Sequence, residues 1–150
     1  MKIKTKGKPS KVQLKLCKDA LNFYAANLLG KRLKDKINIT LDFTDKEMSP
    51  NYYGFCDWEF DNHRSRDFIL TIDSTLGKRT MLFVLAHEMV HVKQYAKGEL
   101  KDYIKAKSVR WHGKIFQSNE IDYWEQPWEI EAHGREKGLY YKFTDYMRKL

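Results

Sequence analysis

Cysteine, proline and long apolar runs are all scarce in this chain. Its 150 residues include two cysteines and three prolines. Cys17 and Cys56 stand in unrelated segments, which argues against a disulfide-stapled scaffold or a thiolate metal pair. Both read as small buried residues of a protein kept in a reducing compartment. No stretch approaches the ~20 apolar residues of a membrane-spanning helix. The basic start, Met1 to Pro9, has no apolar segment behind it of the kind a secretory leader needs. A cytoplasmic protein without a membrane partner is expected. Repeats, low-complexity tracts and interdomain linkers are also missing, so residues 1–150 are expected to form a single domain.

What is present supports a packed core: 42% of residues are hydrophobic and 14% aromatic. The formal net charge is +8, which favours encounter with nucleic acid or another acidic partner. The lysines are scattered over residues 2–11, 31–36 and 101–107, the pattern of a solvated basic surface. Weak nucleic-acid association is the most that this charge suggests, and no nucleic-acid-binding module accompanies it.

One stretch organises the rest. Residues 80–95 contain His87-Glu88-Met89-Val90-His91, a His-Glu-x-x-His pattern. Residues four apart share a helix face, so His87 and His91 would aim two imidazoles at one point where a zinc ion could sit. Glu88 could reach a water at the metal's open position and serve as its base. Six apolar residues, Met81 to Ala86, lead into the motif, and Gly77 and Gly98 bracket a helix of about five turns. A helix apolar on nearly all sides is buried, and buried histidines and a glutamate need a reason to be there.

The flanking elements read as follows. Ser10 and Gly30 cap a helix with apolar residues at three- and four-residue steps. Residues 36–43 alternate polar and apolar as a strand does, and a loop follows at residues 49–51. Residues 52–60 and 66–73 read as two more strands joined through residues 61–64, with His63 as a surface histidine. The strands predict a small, mostly antiparallel sheet before the metal helix, for which Ser74 or Thr75 would be the cap. The strand at residues 68–72 would offer its edge to an extended substrate. Residues 108–117 read as a hairpin turning at His112-Gly113. A last helix opens at Pro127 and runs toward Leu150, with Gly134 and Gly138 as weak points.

Catalytic zinc takes three protein ligands, and the third has four candidates here: Glu129, Glu131, His112 and His133. At ~100° per residue, Trp128, Ala132, Leu139, Phe143, Tyr146 and Leu150 share one side of the last helix, its expected core face. Glu129 lies about 60° from the centre of that face and Glu131 about 100° away on the other flank, which favours Glu129. His112 suits a hairpin tip without any metal, and His133 could instead be a supporting group or an electrophile.

Leu85 to His91 resembles the active-site helix of zincin metallopeptidases, and Pro127-Trp128-Glu129-Ile130-Glu131-Ala132 resembles the glutamate helix of gluzincins. The order of elements over residues 52–145 is similar to that of small metallopeptidases of tailed bacteriophages. The resemblance implies an α+β, minimal zincin-like domain, with the host cytoplasm as its compartment if the chain is phage-encoded. It also implies Zn2+ held by His87, His91 and Glu129, with Glu88 as the general base of peptide hydrolysis. Larger gluzincins place an aspartate or asparagine four residues past the ligand glutamate; here that position is His133. His112-Gly113-Lys114-Ile115-Phe116 also matches a His-Gly-x-x-Phe motif of SprT-like, DNA-associated proteases, which would make His112 the third ligand and DNA a partner. A purely structural zinc is the non-catalytic alternative, with His112 or His133 closing the site beside Glu129. Tyr95, Tyr123, His133 and Arg135 are the candidates for stabilising an oxyanion.

Overall fold

The computed structural model of the chain describes residues 1–45, 53–58, 64–103 and 106–150. The loop expected at residues 49–51, the connection at residues 61–63 with His63, and the outer ends of the strand expected at residues 52–60 lie outside the described residues. The fold is α+β. A first strand, β1 (Lys2–Lys6), leads into α1 (Lys11–Lys34), and β2 (Asn38–Thr44), β3 (Gly54–Trp58) and β4 (Asp67–Asp73) complete a four-stranded sheet. Then come α2 (Lys78–Ala96), a three-stranded sheet of β5 (Leu100–Tyr103), β6 (Ser108–Trp111) and β7 (Lys114–Gln117), two short 3-10 turns, and α3 (Pro127–Arg148). No helix among the described residues is long and apolar enough to cross a membrane.

The four-stranded sheet runs in the order β1-β2-β4-β3. Three of the five strand ladders among the described residues are antiparallel, but β1–β2 and β2–β4 are parallel. Period-two alternation marks a strand with one face on a core and says nothing about direction. Direction follows from which strand takes the centre. Phe68, Leu70 and Ile72 of β4 are all buried, as are Ile39, Leu41 and Phe43 of β2. Pairing these two strands joins their apolar rows, and the more polar β3 is left on the outside. Among the described residues the outer strand beside α2 is therefore β3, not residues 68–72 as the sequence suggested. β1 had no strand signal because its Lys2, Lys4 and Lys6 are exposed; lysines on an edge strand oppose further pairing. β5 was likewise hidden in a polar, basic segment.

Ser10 caps α1 as expected, its side chain accepting from the Gln13 N–H. Gly30 sits at φ +72° and interrupts the helix, which resumes for one turn. Neither Ser74 nor Thr75 caps α2. Both Thr75 N–H and Thr75 Oγ1 donate to Asp73 Oδ1, Ser74 Oγ donates to Thr44 O, and the N-cap is Gly77. Gly54 of β3 lies so close to α2 that an added Cβ would stand 2.6 Å from Val84 Cγ1. Only glycine lets the edge strand pass this near to Glu88.

The main core is built from α1, α2, one face of the large sheet and the middle of α3. Trp128, Ala132, Leu139 and Phe143 of α3 are buried as expected, whereas Tyr146 and Leu150 are 47% and 80% exposed. The fully buried part of the α3 face thus ends at Phe143; Tyr146 and Met147 still pack on its edge, the Tyr146 ring 5.1 Å from that of Phe23, and Leu150 lies beyond the end of the helix. Phe143 is fully enclosed, with its ring 5.6 Å from that of Phe23 and 5.8 Å from that of Tyr24. Phe143→Ala is expected to cost about 3–5 kcal/mol of stability, read from urea unfolding midpoints at unchanged slope.

Candidate metal centre

α2 holds His87 and His91 one turn apart, and α3 crosses it to bring up Glu129. His87 Nε2 lies 3.1 Å from Glu129 Oε2, His91 Nε2 3.3 Å from Glu129 Oε1, and the two Nε2 atoms 3.2 Å from each other. A tetrahedral zinc with bonds of about 2.0–2.1 Å sets its ligand atoms roughly 3.3 Å apart. The spacing of this triad fits such an ion.

The hydrogen-bond network fixes which nitrogens face inward. Gln94 Nε2 donates to Trp128 O at 2.9 Å and to Glu131 Oε1 at 3.0 Å, so the oxygen of that amide points the other way. It lies 2.8 Å from His91 Nδ1, which must then carry the proton. His87 Nδ1 lies 2.8 Å from Glu136 Oε2, an acceptor, and is protonated for the same reason. Both Nε2 atoms are left as bare lone pairs facing one another. Such an arrangement is repulsive unless a cation lies between them, and it is how histidine ligands are normally oriented.

In the metal-free protein a proton is the available cation. Burial pulls the His87 pKa down, but hydrogen bonds to Glu129 and Glu136 outweigh it and raise the value to about 10. His91 moves upward too: burial lowers it, and Glu129 more than offsets that. Glu129 is correspondingly held below the usual carboxylate range, its burial overcome by hydrogen bonds from the two histidines. Glu88 is buried and its pKa is raised, chiefly by that burial. It lines both cavities of the cleft, one of about 530 Å³ and one of about 370 Å³, which also share Gly54, His87 and Tyr123.

The remaining candidates sit elsewhere. Glu131 is engaged by Lys93 at 2.8 Å and Arg135 at 3.2 Å and is in no group with the histidines close enough to hold an ion. His112 occupies the β6–β7 turn at φ +46°, beside Gly113 at φ +83°, and stacks edge-on against Trp111. His133 Nε2 lies 3.0 Å from the Tyr123 hydroxyl, and its Nδ1 lies 3.4 Å from Glu136. His87, His133 and Glu136 are close enough to form a second metal triad. That use would strip His87 Nδ1 of the proton that turns its Nε2 toward Glu129. Among the oxyanion candidates, Tyr95 donates to Asp102 and Arg135 is paired with Glu131. Tyr95 lines the larger cavity, His133 the smaller one and Tyr123 both, and Tyr123 donates to Glu129 Oε2 at 2.8 Å.

Two residues that orient the histidine rings were not singled out from sequence. Glu136 follows Glu129 by seven positions, two helical turns on the same face, and Gln94 follows His91 by three. That spacing was the available signal. No family model, curated protein or solved structure matches the chain.

Glu136→Ala is expected to weaken zinc binding about 10–100-fold, while His112→Ala leaves it unchanged, in competition titrations against a chromogenic chelator. The pH dependence of stability should depend on the metal. A histidine pKa raised from 6.5 to about 10 gives the metal-free protein stability that is complete below pH 6.5 and lost as pH rises toward 10. Zinc needs the unprotonated ring. The gain in melting temperature on adding zinc to chelator-treated protein should therefore grow steadily from pH 6 to 9.

Proposed function

We propose that the protein is a zinc-dependent metallopeptidase of minimal, gluzincin-like architecture, acting on peptide or protein substrates in the cytoplasm. The observation that supports this reading best is the joint placement of two bare imidazole nitrogens and Glu129 beside a buried carboxylate, Glu88, where two cavities meet. His87, His91 and Glu129 would hold the ion. A bound zinc supplies Lewis acidity, lowering the pKa of water toward about 7 and polarising a carbonyl.

The chain's own residues supply the rest. Glu88 takes a proton from the attacking water and delivers it to the leaving amine; its raised pKa brings it nearer to the working pH of such an exchange. The Tyr123 hydroxyl and His133 are the groups able to donate to oxygen as charge develops on it. β3, the outer strand of the large sheet, borders both cavities through Gly54 and can pair with an extended substrate.

A structural zinc would require a fourth protein ligand. His133 groups with His87 and Glu136, not with His91 and Glu129, and His112 is in neither triad. Glu88→Gln should therefore retain one zinc per chain by elemental analysis and lower cleavage of an unfolded protein substrate by about 10²–10⁴-fold. Full activity in that variant would rule out the enzyme reading.

A further inference from the structure

Asp102 has no part in the chemistry above. It sits on β5 two residues from Leu100 and pairs across the sheet with Val109. Leu100, Val109 and Trp128 form an apolar cluster of their own. All four line the larger cavity, of about 530 Å³, that opens from His87, Glu88 and His91.

The carboxyl is held firmly. Tyr95, one turn beyond His91 on α2, donates its hydroxyl to Asp102 Oδ2 at 3.0 Å. The Tyr95 ring is itself fixed against Trp58, with centroids 4.8 Å apart. Lys107, the lysine on the cavity lining, is exposed. Burial raises the Asp102 pKa, against the opposing hydrogen bond from Tyr95 and the charge of His91. A carboxyl set in apolar walls with acceptor capacity to spare is stabilised by a cation that brings hydrogen-bond donors of its own. A long aliphatic stem ending in such a cation matches both parts of the wall.

We infer that this cavity is a specificity subsite for a substrate lysine or arginine, whose stem lies along Leu100, Val109 and Trp128 and whose charged end meets Asp102. That the ligand is a peptide rests on the metallopeptidase reading. The preference is local, because the net charge of +8 opposes cationic ligands elsewhere.

The test uses peptides identical except at one position, which carries lysine, arginine, norleucine or glutamate and is scanned along the chain. Norleucine keeps the stem of lysine without its charge. Cleavage is measured with the zinc-loaded protein, and binding with zinc-loaded Glu88→Gln. At one position, kcat/KM for lysine should exceed that for norleucine by about tenfold. Asp102→Asn, which keeps an acceptor for Tyr95, should bring the ratio to about one, with the matching loss in binding. Norleucine serving as well as lysine in the unmodified protein, or a lysine preference surviving Asp102→Asn, would overturn the subsite. Cleavage without the preference leaves the peptidase reading standing and removes the subsite. Asp102-dependent binding of lysine peptides without cleavage does the reverse, and neither binding nor cleavage removes both.

Discussion

The seating of α3 on α2 is the constraint on which the candidate site depends. His87 and His91 share a face because both lie on one helix, but their third partner comes from another helix 38 residues further on, as counted from His91 to Glu129. Lys93 secures the crossing. Its buried ammonium reaches Glu131 on α3 and Glu99 just past α2, each at 2.8 Å. A buried charge of this kind is costly to leave unpaired, so the two helices cannot slide apart without exposing or stranding it. Gln94, which bonds to both Trp128 O and Glu131, ties the same crossing to the orientation of His91.

Structural and site residues are therefore parts of one network. Glu131, the other acidic candidate of the helix start, is itself held by Lys93 and Arg135 and, with Trp128 O, accepts from the amide that turns His91. Glu136 does the equivalent for His87 directly. The resulting concentration of carboxylates around two imidazoles favours a cation strongly enough to raise the His87 pKa to about 10 when a proton is the only one available. Any metal affinity of this cluster and the pH response of the metal-free protein would share that electrostatic origin.

Legibility in the sequence varied with the locality of the signal. The bounds of α2, the Ser10 cap, Pro127 at the start of α3 and the His112-Gly113 turn were readable because each rests on neighbours within a few residues. β1 and β5 were not, since both are short and polar and become strands only by pairing. The parallel pairing of β2 with β4 was equally hidden, because alternation records which face is buried and not which way a strand runs. The expected apolar face of α3 is buried as far as Phe143 and still touches Phe23 through the half-exposed Tyr146; it overran at Leu150, past the end of the helix, because helical periodicity does not reveal where a helix or its neighbouring surface ends.

The sequence by itself determined the chemistry available: two imidazoles one helical turn apart, a glutamate between them, and an acidic helix start downstream. These follow from spacing along one element, which 3.6-residue geometry converts directly into position. Only the tertiary structure decided that Glu129 meets the histidines while Glu131 does not, that Glu136 and Gln94 orient the rings, and that β3 rather than β4 borders the cleft. Each of those outcomes depends on how two elements distant in sequence pack together, and the loop closure that joins them leaves no local mark in the residues themselves.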